Sequence, residues 1–255
     1  MEKLNKNEDY KDYYLSKESA IEYDEVSYKE GTYGSVLWEI EKEKLINHLK
    51  NFCNTNKNIR YLDFACGTGR IVSLVEAFVE ESNGIDISQS MLDRAAQKTK
   101  HTNLIQGDIT KDVNIIKGKY DLITTFRFVL NANPELREEA LGILSEKLQS
   151  RDSWLIFNMH TNKYSYAFLS YLWIKIFGQS KDKDLKRFMS INDCKLLARK
   201  AHLDIVKIEG LGFLSSKIFR ILPHFLGLNI EKTLSKIPLI NLLGTDLIFF
   251  CKKKE

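Results

Sequence analysis

Leu62-Asp63-Phe64-Ala65-Cys66-Gly67-Thr68-Gly69-Arg70 places an acidic residue near the end of a strand-forming run, Ile59 to Phe64, and follows it with a turn holding two glycines. Glycine at such a turn lets the backbone take φ > 0 and leaves no Cβ between the chain and a ligand. The apolar residues from Ile71 to Val79 predict a helix behind the turn, so the segment reads as the opening of a βαβ unit. A nucleotide-type ligand fits across a strand-to-helix turn of this kind. A dinucleotide fingerprint needs a third glycine three residues after the second, and that place is Val72. The turn is therefore a poor pyrophosphate cradle. No Gly-Lys-Ser/Thr follows, which excludes the phosphate-binding loop of nucleoside triphosphatases. What fits is a nucleoside ligand without phosphates.

Working outward, Gly84-Ile85-Asp86-Ile87-Ser88 reads as a second strand carrying an acid near its end. A carboxylate about 20 residues beyond the turn can accept hydrogen bonds from both ribose hydroxyls. Ser88 or Ser90 then caps a helix carrying Met91-Leu92 and Ala95-Ala96, with Asp93 placed to complete a capping box. Leu104 to Ile109 reads as a third strand, bearing Asp108, and Tyr120 to Phe126 as a fourth.

The Asp63-x-x-x-Gly67-x-Gly69 turn, with four strand ends in step behind it, resembles class I S-adenosylmethionine-dependent methyltransferases. The resemblance implies an α/β fold: doubly wound and Rossmann-like, a seven-stranded, mostly parallel sheet with helices on both faces and substrate-side helical insertions. It implies S-adenosyl-L-methionine as donor and S-adenosyl-L-homocysteine as product. The donor-binding residues expected from it are Asp63, Ala65, Gly67, Gly69, Asp86, Ile87, Met91, Asp108, Ile109, Phe126 and Tyr33. In the family pattern Asp108 accepts from the adenine amino group and Ile109 covers the ring. Tyr23, Tyr28, Tyr33 and Trp38 cluster before the nucleotide fold. In related small-molecule methyltransferases such a segment folds over the donor, which puts Tyr28 or Tyr33 near its methionine end. The alternative is that these aromatics only pack the helix Val36 to Phe52 onto the core.

The division expected is an N-terminal segment with a lid-like helix, 1–57, and a methyltransferase domain, 58–255, with insertions at about 163–189 and 213–244. The helix Val36 to Phe52 should dock against the sheet edge. Pro134 starts a helix Glu135 to Leu148, Ser153 to Met159 forms the fifth strand, and Ser190 with Asp193 opens the helix Cys194 to His202. Ile205 to Leu211 and Leu247 to Lys252 read as the last two strands.

At 255 residues and 44% hydrophobic the chain can bury one substantial core. Its net charge of +4 is too mild to imply nucleic acid by itself. Cys53, Cys66, Cys194 and Cys251 are scattered, which argues against a zinc site or a disulfide framework and for a reducing compartment. The polar start, Met1 to Tyr14, reads as no signal peptide, and no run reaches the length of a membrane span. Together these readings give a cytoplasmic protein with a small-molecule acceptor, no nucleic-acid partner and no stable membrane insertion.

Methyl transfer from a sulfonium is an in-line displacement in which holding donor and acceptor collinear supplies much of the rate; no metal is required. Acceptors approach outside the carboxyl ends of the strands. His160, directly after the fifth strand, is a candidate general base, or else a hydrogen-bonded structural histidine. Arg127, between Phe126 and Phe128, is a candidate clamp for an anionic acceptor, or else a pin for a neighbouring carboxylate. The fourth strand lacks the Asn/Asp-Pro-Pro-Tyr tetrad of nucleic-acid amino methylases. The leading expectation is O-methylation of a small metabolite or glycan-type acceptor. A lipid or quinone-type acceptor at a membrane surface and a non-catalytic S-adenosylmethionine-binding protein are the alternatives. The Leu-, Ile- and Phe-rich stretches Tyr164 to Phe177 and Ile218 to Leu243 are expected to cover the active site and bury their apolar faces inside the protein.

Overall fold

The structure, a computed structural model, describes residues 32–177 and 188–254. The tail to Tyr14, the aromatics Tyr23 and Tyr28, and the charged loop Lys181 to Lys186 lie outside these residues.

The sheet has seven strands in the order β3-β2-β1-β4-β5-β7-β6: β1 (Arg60–Phe64), β2 (Glu81–Asp86), β3 (Asn103–Gln106), β4 (Leu122–Thr125), β5 (Trp154–Met159), β6 (Leu203–Leu211) and β7 (Asp246–Lys253). The first five pair in parallel, while β7 runs antiparallel between β5 and β6. β4 is buried along its whole length and β1 from Tyr61 onward. A strand covered on both faces can be continuously apolar instead of alternating. The fold is the doubly wound α/β arrangement expected.

Helix α1 (Tyr33–Thr55) starts at Thr32, whose hydroxyl accepts from the Ser35 N–H, and buries Val36, Ile40, Glu41, Leu45, Leu49 and Phe52. It does not dock on a sheet edge as expected. His48 packs its ring 4.6 Å from Trp154 on β5 and 4.7 Å from Phe250 on β7, so the helix lies across a sheet face. The helix expected from Ile71 to Val79 is only α2 (Val72–Val75), followed by a 3-10 turn, Glu76–Phe78. In α3 (Gln89–Lys98), Ser88 is the cap, accepting from the Met91 N–H, and Asp93 accepts from the Gln89 amide instead of completing a capping box. α4 (Pro134–Glu146) starts at the proline behind an Asn133 cap.

α5 (Tyr166–Phe177) follows β5 and contains no buried residue. α6 (Ile191–Lys200) carries the expected capping box of Ser190 and Asp193. Between β6 and β7 lie α7 (Ser216–Ile221), α8 (His224–Leu234) and α9 (Pro238–Asn241). The expectation that both insertions bury their apolar faces is overturned among the described residues: Trp173, Ile176 and Phe177 on α5, and Ile221, Phe225 and Leu239 in the second insertion, are exposed. α7 and α8 bury only Phe219, Gly227 and Glu231. No helix among the described residues is long and apolar enough to cross a membrane.

Candidate active site

A cleft opens at the carboxyl ends of the parallel strands. The turn after β1 shapes it through its backbone. Ala65, Gly67 and Gly69 all have positive φ, at 54°, 53° and 82°. Gly67 has open space where a Cβ would stand, whereas a Cβ on Gly69 would meet Ala95 of α3 at 2.8 Å. Gly69 is thus fixed by helix packing as well as by φ.

Asp86, at the end of β2, anchors this turn. Its Oδ2 accepts from the Gly67 N–H at 2.8 Å and its Oδ1 from the Ser88 N–H at 2.9 Å. A carboxylate has about four lone-pair sites, so two remain toward the cleft that Asp86 lines. Burial pushes its carboxyl up, opposed by those backbone bonds. Asp63 on β1 also lines the cleft. Its Oδ1 accepts from the Thr124 hydroxyl at 2.6 Å, while its buried Oδ2 has no hydrogen-bond partner among the described residues. Burial pushes Asp63 up to about 7, with the Thr124 hydroxyl and the Val72 N–H pulling the other way.

Ala65, Gly67, Ile87, Met91, Asp108, Phe126 and Arg127 line the same cleft, as expected from the sequence. Four of the expected residues do not line it. Gly69 is spent on packing. Ile109 is fully buried in the core, because β3 stops at Gln106 and the chain turns inward after Asp108. Tyr33 is a correction: its hydroxyl donates to Glu231 Oε1 at 2.7 Å and lies 2.5 Å from the Leu214 carbonyl, so it ties α1 to the second insertion. His160 sits past the end of β5, with its Nδ1 buried and without a hydrogen-bond partner among the described residues. Burial, and then the charge of Arg127, hold it well below the usual histidine range. Asp108 closes a local turn, its Oδ1 accepting from the Thr110 N–H and hydroxyl.

Arg127 has positive φ (60°) and donates through Nη2 to Asp246 Oδ2 at 2.8 Å. The pin to a neighbouring carboxylate, weighed from sequence, is therefore present. Asn158 on β5 accepts the Arg127 N–H at 2.6 Å and lies 3.4 Å from Glu41 through Nδ2. Glu41, on the buried face of α1, accepts from Arg70 Nη1 at 2.9 Å, and the Arg70 guanidinium lies over the Trp38 ring at 4.4 Å. Sequence reasoning missed this linked group of Glu41, Arg70, Asn158 and Asp246, as well as Phe64, Cys66, Thr68 and Phe128 in the cleft wall.

Residues 62–150 match the family described as "Methyltransferase domain". This span contains the glycine turn, Asp86, Asp108 and the end of β4. Residues 62–150 therefore form a methyltransferase domain, set in a fold shared with solved S-adenosylmethionine-dependent methyltransferases. An uncharacterized RNA methyltransferase of Clostridium acetobutylicum is 33% identical over 86 residues, 32% of this chain and 19% of that protein. The chain thus spans about a fifth of the length of this curated relative. The magnesium protoporphyrin IX methyltransferase of Synechocystis PCC 6803, solved with bound SAH, superposes with a TM-score of 0.63 at 15% identity, over 96% of this chain and 97% of that one. The N-methyltransferase NodS of Bradyrhizobium japonicum WM9 gives a TM-score of 0.61 at 13% identity, over 95% and 98%. At these identities the solved structures speak for the fold alone. The RNA name of the first relative leaves the expected absence of a nucleic-acid partner without support.

Proposed function

We propose that the protein transfers the methyl group of S-adenosylmethionine to a hydroxyl of a small-molecule acceptor. The observation that carries the donor assignment is Asp86: a buried carboxylate held by the Gly67 and Ser88 N–H groups at the lip of a cleft whose turn lacks phosphate-binding features. The donor supplies an electrophilic methyl on a sulfonium. Asp86 would hold the ribose hydroxyls, Asp108 the adenine edge, and the unpartnered Oδ2 of Asp63 the ammonium at the methionine end. The residues present fit that ligand in charge. Helix α1, tied down through Glu41 and Arg70, would act as the cover that excludes water over the methionine end. His160, kept neutral, would be the proton acceptor for the hydroxyl.

Two comparisons bear on the acceptor. The RNA-named relative matches over 19% of its length, so most of it has no counterpart in that alignment. The magnesium protoporphyrin IX enzyme, by contrast, is covered nearly end to end. Incubation with methyl-labelled S-adenosylmethionine and cell extract separates the readings. Label in low-molecular-weight material, in an O-methyl group, supports the proposal; label confined to RNA overturns it.

Asp63 gives a pH dependence. An ionised Asp63 attracts the donor's ammonium group and a protonated one does not. With a folded-state value of about 7, donor affinity should rise about tenfold between pH 6 and pH 8 as the ionised fraction grows. The sign for stability is opposite. The unfolded chain loses this proton near the ordinary carboxylate value, so the raised Asp63 costs stability increasingly as pH climbs toward 7. Titrations of the wild type and Asp63→Asn at both pH values check this; equal slopes in the two proteins would remove Asp63 from the ammonium.

A further inference from the structure

The two insertions present apolar side chains to solvent at the carboxyl end of the sheet. On α5, Leu169, Trp173, Ile176 and Phe177 are each about two-thirds exposed; in the second insertion Ile221 is 84% and Leu239 81% exposed. Their roots are joined: the Asn162 side chain donates to the Leu242 and Gly244 carbonyls, and its N–H donates to Thr245. A monomer facing only water rarely shows apolar surface of this extent.

The charges within these segments lean to one sign, with Lys232 paired to Glu43 of α1. Residues 163–177 and 213–244 hold Lys163, Lys175, Lys217, Arg220, Lys232 and Lys236 against a single acid, Glu231. Glu231 is fully buried, accepting from the Gly212, Phe213 and Leu214 N–H groups and from the Tyr33 hydroxyl. The positive excess of these two segments exceeds the net +4 of the whole chain, so the rest of the molecule is nearly neutral. A second copy of this chain docked face to face would bring positive charge against positive charge. α5, of 12 residues, is about 18 Å long, too short to span a bilayer but suited to lie in its interface.

We propose that α5 and the α7–α9 segment dock the protein on the surface of an anionic lipid bilayer. Apolar side chains enter the headgroup boundary while the Lys and Arg side chains meet the lipid phosphates. The proposal is independent of the acceptor, and donor binding is read separately, so its failure leaves the methyl-transfer reading intact.

The test is co-sedimentation of the full chain with vesicles of phosphatidylcholine alone and of phosphatidylcholine with phosphatidylglycerol. Binding to the anionic vesicles should be roughly tenfold stronger or more and should weaken in high salt. A triple variant, Trp173→Ser with Ile221→Ser and Leu239→Ser, should lose most of that binding. A double variant, Lys217→Glu with Arg220→Glu, should lose the preference for anionic lipid. Unchanged S-adenosylhomocysteine binding certifies that each variant is folded. Absence of wild-type binding overturns the proposal, as does binding that survives the triple variant. So does a concentration-dependent dimer, abolished by the triple variant, in a protein that ignores vesicles.

Discussion

Turnover of the His160→Ala variant on a hydroxyl acceptor is expected to fall by roughly 10²–10⁴-fold, the usual weight of a general base, with S-adenosylhomocysteine affinity nearly unchanged. His160 follows β5 at the end of the sheet where acceptors approach, and lies outside the residues that line the donor cleft. Its Nδ1 is buried without a partner, and burial together with the Arg127 charge holds the ring neutral. A neutral imidazole can take a proton, whereas an imidazolium cannot. Because the folded-state value lies below the ordinary 6.5, protonation of His160 should limit turnover only well below that pH. The same shift has a stability consequence. The unfolded chain binds a proton that the folded ring refuses, so stability should decline as pH falls through 6.5 toward the folded value. Single-turnover rates of wild type and variant check the assignment. A turnover indifferent to His160→Ala leaves transfer by positioning alone.

Arg70→Ala should destabilise the fold by about 3–5 kcal/mol, the cost of stranding a buried charge, and lower Tm by roughly 6–20 °C. Glu41 is 1% exposed and its best partner is Arg70 at 2.9 Å; the Asn158 amide is at 3.4 Å. Without Arg70, Glu41 keeps only the Asn158 amide among its hydrogen-bond partners, and Trp38 loses the cation over its ring. Replacing both partners with apolar residues, Glu41→Leu with Arg70→Met, should recover most of the loss, since no charge is then left unpaired. Denaturant unfolding of the wild type and the single and double variants reads this directly. A single variant within about 1 kcal/mol of wild type would mean that the pair is solvated in solution.

The fold was legible because its evidence is local: the parallel strands end in an acid or a turn residue, and the spacing between them leaves room for one crossover connection. The cleft proposed for the donor was legible for the same reason, since Asp63, Gly67 and Asp86 lie at or near strand ends. What the sequence hid depends on distant parts of the chain. Tyr33 was placed on the donor because it precedes the nucleotide fold, but Glu231, 198 residues away, takes its hydroxyl. Arg127 was read as a clamp or a pin, and only the antiparallel return of β7 brings Asp246 to it. Glu41 did leave a trace: it falls within the buried stripe of Val36, Ile40, Leu45 and Leu49 on α1, and an acid in an apolar stripe usually has a buried partner. The apolar insertions were misread because periodicity shows which face is apolar and not whether anything covers it.

Calorimetric titration of S-adenosylhomocysteine into the wild type and Asp86→Ala, side by side, tests the central claim most directly. The account predicts one site per chain in the wild type and a loss of about 1.5–3 kcal/mol in the variant, the range for hydrogen bonds to a charged group. That corresponds to roughly 10- to 150-fold in Kd, with the variant's near-native unfolding transition certifying its fold. No heat of binding in the wild type, or equal affinity in the two proteins, would contradict it.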